Sequence, residues 1–237
     1  MLLFYIRHGE PLYNPDSLTP MGLRQAESVG RRLAQYGVDK VFASASTRAI
    51  QTATPTAEML KKEVVPLEWA HESLVWADLT VEKENGGRGW AFYDPEMRMK
   101  FNSDAVRALG DRWYTHPDFA DTRFGEGIER VGREADAFLA SLGYEHDRQT
   151  HSYRAVSPND DRVAFFAHHG FGLAFLSWVL DIPYPQFATH FDIGFTGMTV
   201  IEFAGKENVM PTVLELSCDG HLFRDGLPTD YIHRVRF

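Results

Sequence analysis

The chain has 237 residues, 44% hydrophobic and 13% aromatic, which is enough apolar material to fill the core of one large domain. A formal charge of -9 weighs against a nucleic-acid binder, which needs a basic face, and leaves room for a small anion held in a local pocket. The single cysteine, Cys218, excludes an intrachain disulfide framework and a cysteine-rich zinc site, and as a small residue it is expected to be buried.

Strand-like and helix-like segments alternate along the chain, the mark of an α/β domain. Leu2 to Ile6 is apolar on both faces, as suits a central strand between helical layers. Thr19 then caps a helix with Pro20 at its first position, and Leu23, Ala26, Gly30 and Leu33 mark its apolar face until Gly37 stops it. Lys40 to Ala43 reads as a short strand, and Ser46 to Lys62 as a helix that Pro55 should kink or end early. The stretch from about 66 to 124 is different, with weak periodicity and four of the five tryptophans, Trp69, Trp76, Trp90 and Trp113. It is expected to be an inserted cap over the carboxyl ends of the strands. A small satellite core built by the tryptophans is the other reading, and both can hold.

A helix from about Glu129 to Leu142 leads into a polar loop, His146 to Asp161. The strand Arg162 to Ala167 follows, then a helix from about Phe171 to Leu180, and Met198 to Phe203 and Thr212 to Leu216 close the sheet. No apolar run approaches the roughly 18 residues of a membrane span, and no basic leader precedes the first strand, so a cytoplasmic location is expected.

One kind of junction occurs three times. The first strand ends in RHGE (Arg7, His8, Gly9, Glu10), the second runs into SASTRAIQTA with Arg48 near the helix start, and the third ends in AHHG (His168, His169, Gly170). Singly, a strand-end arginine is a solvated charge and a lone histidine a satisfied polar residue. Together they bring two arginines and at least two histidines to one edge of one sheet. Helix amino ends at that edge add partial positive charge and free backbone N–H groups, so the site should favour a phosphoryl group. The planar guanidinium fork suits a tetrahedral oxyanion, and a neutral imidazole is a good nucleophile toward phosphorus.

The blocks RHGE, LTPMGLRQA, SASTRAIQTA and FFAHHG, kept in order and spanning both ends of the chain, resemble the histidine phosphatase superfamily, the phosphoglycerate mutase-like group. The resemblance implies a three-layer α/β/α sandwich with a mostly parallel central sheet. It implies a single domain over residues 1–237, with the inserted cap at about 66–124. It makes His8 the nucleophile that becomes phosphorylated, puts the pocket arginines on Arg7 and Arg48, and puts the second histidine on His169. Asn14 occupies the position of an asparagine often seen six residues after the nucleophile. No metal ion or other cofactor is implied, since fixed positive charge takes the metal's place. Two departures, His168 in place of serine and Ala45 in place of the proline after Ser44, bear on substrate preference rather than on the phosphoryl pocket.

Expulsion of an alkoxide also needs a general acid, and water attack on phosphohistidine a base, so one carboxyl group can serve both halves. The family's glutamate four residues before a glycine selects Glu82 in LTVEKENGGRGW. Asp78 and Glu84 compete with it, and the bland reading is that all three decorate a solvated edge. A metal reading of His168 and His169, with His190 and His221 as further ligands, is disfavoured because adjacent strand residues point to opposite faces.

The expected activity is hydrolysis of a small phosphomonoester. A phosphoglycerate mutase-like phosphoryl-transfer isomerase is the alternative, and a binding module with a degenerate site is a third class. Retention of Arg7, His8, Arg48 and His169 counts against the third. The basic groups of the cap, Lys83, Arg88, Arg98, Lys100, Arg107 and Arg112, do not separate hydrolase from mutase. The expected partner is a small phosphorylated substrate, with no nucleic acid and no membrane; the pattern names no oligomeric state.

Overall fold

β1 (Leu2–Arg7) is buried at every position after Leu2, because helices cover both of its faces. The structure is a computed structural model that describes residues 1–83 and 86–229. Leu3 and Tyr5 of β1 join one apolar cluster and Phe4 and Ile6 another, so the period-two alternation of a strand divides the core into two layers. The hairpin β2 (Pro11–Tyr13) and β3 (Asp16–Leu18) follows, then α1 (Pro20–Tyr36), β4 (Lys40–Ser44), α2 (Thr47–Leu60) and β5 (Val64–Leu67). The tryptophan-rich stretch holds α3 (Glu72–Leu79), the hairpin β6 (Thr80–Glu82) and β7 (Arg88–Trp90), and the short helices α4 (Pro95–Phe101) and α5 (Asp104–Arg107). Next come α6 (Phe124–Ser141), the hairpin β8 (Tyr144–Asp147) and β9 (Ser152–Ala155), β10 (Arg162–Ala167) and α7 (His169–Val179). α8 (Tyr184–His190), β11 (Met198–Glu202), β12 (Thr212–Cys218) and α9 (Gly220–Arg224) complete the described elements.

The main sheet has the order β12-β11-β1-β10-β4-β5. β1, β10, β4 and β5 pair in parallel, and β11 runs antiparallel to both of its neighbours, so it alone is reversed. Helices α1 and α2 pack on the Phe4 side of this mostly parallel sheet, and α6 and α7 on the Tyr5 side. Parallel register sets Arg7 opposite Ala167, so the two strands release His8 and His168 at the same edge. Among the described residues, no helix is long and apolar enough to cross a membrane.

Three elements differ from the sequence expectation. α2 continues through Pro55 to Leu60; Gly30 of α1 offers no side chain there, and a Cβ on it would lie 3.1 Å from Pro55 Cβ, so close helix packing offsets the lost hydrogen bond. The expected polar loop after His146 contains the β8–β9 hairpin, whose inward positions are filled by Tyr144, His146 and Tyr153 rather than by aliphatic residues. Cys218 is half-buried, and its Sγ accepts from Arg32 Nη1 at 3.2 Å. The tryptophans divide. Trp113 packs among Phe101, Phe119 and Tyr184 and Trp69 meets Phe138 and Phe165, all within one continuous core rather than a satellite, while Trp76 and Trp90 meet each other.

The turn after β1 is held by backbone contact. A Cβ on Gly9 would lie 2.6 Å from the Gly22 carbonyl oxygen, and one on Gly22 would overlap the Glu10 carbonyl. An alanine in a helix ordinarily gains about 0.5–1 kcal/mol over glycine. Gly22→Ala is expected to reverse that sign and lose about 1–3 kcal/mol through overpacking, read as a lower urea midpoint at unchanged slope. A midpoint at or above that of the parent protein would show that the turn yields.

Candidate active site

His8 follows β1 directly, and its N–H donates to the Ala167 carbonyl at 2.9 Å, continuing the ladder to β10 by one residue. Its side-chain Nδ1 donates to the Gly9 carbonyl at 2.7 Å, which leaves the lone pair on Nε2. Burial first, then the guanidiniums of Arg7 and Arg48, pull the His8 pKa well below its ordinary value, so the ring is neutral near pH 7.

Arg7 donates from Nη1 to the Ile193 carbonyl at 2.6 Å and lies over the Phe195 ring at 4.2 Å. Arg48 stands in the first turn of α2, where Nη1 meets Asp16 Oδ1 at 2.6 Å and Nη2 donates to His168 Nδ1 at 3.0 Å. A guanidinium only donates, so His168 carries its proton on Nε2 and gives it to Ser44 Oγ at 2.7 Å. Burial lowers the His168 pKa well below the usual value. The Nε atoms of Arg7 and Arg48 are buried and have no hydrogen-bond partner among the described residues.

His169 opens α7 and donates from Nε2 to Asp192 Oδ1 at 2.6 Å. Burial lowers its pKa; burial also pushes the Asp192 carboxyl up, but the bond from His169 and the charge of Arg7 hold that carboxyl below its ordinary value. The pair is a neutral imidazole on a carboxylate, and Tyr93 stacks on the ring at 5.7 Å.

Glu72, the first residue of α3, accepts from Gly170 N at 2.9 Å and Phe171 N at 3.1 Å. Burial raises its pKa; these two bonds and the charges of Arg48 and Arg7 only partly offset the rise. A cavity of about 570 Å³ has Arg7, His8, Arg48, His71, Glu72, Ser73 and His169 on its lining, together with the rings of Tyr13, Trp76, Trp90 and Tyr93.

The structure therefore joins four of the six expected site residues, Arg7, His8, Arg48 and His169, and leaves out two. Glu82 is exposed and lines a neighbouring cavity with Lys83 and Lys100. The reason is register: in the β6–β7 hairpin Trp90 at the cavity pairs with Thr80, and Glu82 lies two residues further toward the turn. Asn14 is exposed between β2 and β3, and the same hairpin contributes Tyr13 to the cavity and Asp16 to Arg48 instead. Of the competing carboxyls, Asp78 is buried against Arg123 and Arg130 at 3.1 and 3.2 Å, and Glu84 lies outside the described residues.

The helix ends differ from expectation too. The N–H groups of Gly170 and Phe171 are taken by Glu72, and that of Thr47 by Asp16 at 2.8 Å, so protein carboxylates already cap both helices. The nitrogens of His168 and His169 turn to different partners, and His221 Nε2 bonds to Thr196 Oγ1 at 3.0 Å. Among the described residues, the one trio close enough to share an ion is Asp111, His151 and Asp181, and Arg148 already pairs with both carboxylates. Glu72 was legible only as an acid in the first turn of a helix behind His71, and nothing in the sequence marked Asp16 or Asp192.

A sequence model of the histidine phosphatase superfamily, branch 1, matches residues 3–215. Among solved structures, the phosphoserine phosphatase of Entamoeba histolytica in complex with 3-phosphoglyceric acid is 21% identical, with a TM-score of 0.58 over 93% of this chain and 98% of that one. A mycobacterial glucosyl-3-phosphoglycerate phosphatase is 17% identical, with a TM-score of 0.58 over 91% and 98%. The alpha-ribazole phosphatase of Shigella flexneri is 21% identical, with a TM-score of 0.56 over 92% and 97%. At these identities the likeness is one of fold. A search of curated proteins finds no match.

Three buried neutral histidines make stability depend on pH. His8, His168 and His169 have folded pKa values below the unfolded value of about 6.5, so the unfolded chain binds more protons in that window and stability falls on acidification. The raised pKa values of His146 and Glu72 act in the opposite sense, so the readout is a difference between proteins. Below pH 6.5, His168→Gln is expected to flatten the fall of unfolding free energy by up to about 1.4 kcal/mol per pH unit. Parallel curves for the two proteins would show that His168 titrates alike in both states.

Proposed function

For a chain that belongs to the histidine phosphatase superfamily, branch 1, we propose hydrolysis of a small phosphomonoester through a phosphohistidine on His8, without a metal ion. The observation that carries this reading is the His8 tautomer, with Nδ1–H fixed on Gly9 O at 2.7 Å and Nε2 unprotonated in a cavity shared with Arg7, Arg48, His169 and Glu72. Nε2 attacks phosphorus, the N–P bond forms as the P–O bond to the leaving group breaks, and the departing oxygen takes a proton from Glu72. Water then attacks the phosphohistidine, gives a proton back to Glu72 and releases phosphate, which returns His8 to its neutral state. Arg7 and Arg48 hold the equatorial oxygens, and His169 joins them once the bound dianion beside Asp192 draws a second proton onto its ring. The raised Glu72 pKa suits an acid working near neutrality, and a bound dianion raises it further by offsetting the arginines.

The stretch at about 66–124 acts as the cap, supplying Glu72 and the aromatic wall. Its basic groups favour a hydrolase over a mutase. Lys83 and Lys100 line the neighbouring cavity, Arg88 is held by Thr80, Arg98 by the Phe92 and Thr189 carbonyls and Arg107 by Asn102, and neither these nor Arg112 is on the lining of the His8 cavity, so none serves as a second phosphate clamp there.

His8→Ala is expected to abolish turnover in a folded protein, and a detergent quench of the parent enzyme to trap phosphate in a base-stable, acid-labile linkage. Retained turnover beyond a few per cent would reject His8 as nucleophile. Glu72→Gln should slow an alkyl phosphate by about 10²–10⁴-fold, yet give a burst of phenol followed by slow turnover on an aryl phosphate, whose leaving group needs little protonation. Glu82→Gln should stay near parental rates on both; the reverse pattern would return the role to Glu82. Arg48→Lys keeps the charge and loses the fork between Asp16 and the substrate, so kcat/KM is expected to fall by about tenfold or more.

A further inference from the structure

We infer that the part of this cavity receiving the leaving group is built for an uncharged aromatic group, which makes the substrate class phosphate monoesters of neutral aromatic alcohols. The inference rests on the phosphatase reading above and adds the leaving group to it.

Charge gives the first reason. Among the described residues, Arg7 and Arg48 are the only arginine or lysine side chains on the cavity lining, and Asp16 already shares Arg48. Two guanidiniums match one phosphoryl dianion. A carboxylate or second phosphate on the leaving group would lose water against the aromatic wall with no further arginine or lysine on this lining to meet it. His71, also on the lining, turns its Nδ1 to Ser73 N at 3.2 Å.

The aromatic geometry gives the second. Trp90 lies against the start of α7 at Gly170, where a Cβ would overlap the indole. Phe92 backs Trp90 in a stacked arrangement at 5.3 Å, and Trp76 meets it edge-on at 4.9 Å and 86°. These rings are therefore placed before any ligand arrives, so binding loses little further side-chain freedom. Trp76 stays 38% exposed and Tyr13 72%, leaving exposed aromatic surface at the mouth among the described residues. Tyr13 also lies over the Arg48 guanidinium at 5.5 Å, which sets it where the phosphoryl end meets the aromatic end. A flat apolar leaving group displaces water from this surface and stacks on or abuts these rings.

Phenethyl phosphate and butyl phosphate test this, because their alcohols are of similar acidity and differ in the ring. Expected kcat/KM for phenethyl phosphate is about tenfold or more above butyl phosphate, and further still above phosphoserine and 3-phosphoglycerate. Trp76→Ala, a change at an exposed position, should shrink the phenethyl-to-butyl ratio by about fivefold, and Tyr13→Ala should shrink it as well. Phenethylphosphonate and butylphosphonate, which cannot be hydrolysed, should show the same order of affinity by calorimetry. Equal values for ring and chain, a preference for the charged esters, or a ratio indifferent to both variants would overturn the inference. Aromatic preference among the phosphonates without turnover of any ester would sink the hydrolase reading and leave the pocket inference standing.

Discussion

Arg7 and Arg48 set two buried positive charges beside His8, and much of the surrounding structure compensates them. A buried guanidinium is tolerable only when its donors find acceptors. Here those acceptors are the Ile193 carbonyl, Asp16 and the unprotonated Nδ1 of His168. The same two charges help keep His8 neutral, the form with a lone pair to offer. Compensation stops short of completion, because each arginine keeps a buried Nε with no partner among the described residues. A cavity lined by two guanidiniums and a neutral imidazole is one that suits an oxyanion.

His168 shows how this constraint reaches into the scaffold. Serine would suit a small polar gap, but an imidazole bridging Arg48 to Ser44 ties the start of α2 to the ends of β4 and β10. The helix amino ends are used in a related way. Their N–H groups bind Glu72 and Asp16, so the partial positive charge of α7 and α2 fixes two protein carboxylates in place instead of meeting the substrate directly. Glu72 is thereby oriented, and the oxyanion is left to the guanidiniums.

The two halves of the cavity obey different physics. The phosphoryl end follows from the ends of parallel strands, which any chain of this fold delivers to one edge. The other end is formed by Trp76, Trp90, Tyr93 and Tyr13, which come from separate loops and short elements. Solved structures at 17–21% identity share the fold, and their named substrates do not transfer with it.

The sequence by itself determined what chain neighbours and strand direction determine. RHGE, the SASTRAIQTA junction and AHHG each end a strand or start a helix, and parallel strands bring such ends together whatever lies between them. The helix capped by Thr19 and stopped by Gly37 was equally local. Tertiary structure alone decided which carboxyl lines the cavity of His8. Glu82 and Glu72 both belong to the cap, and only pairing with Gly170 N, 98 residues away, distinguishes Glu72. Asp16 on Arg48, Asp192 on His169 and Gly30 against Pro55 are likewise long-range contacts between isolated residues. No periodicity announces such contacts, because each is selected by the shape and charge of a partner elsewhere in the fold rather than by the segment that carries it.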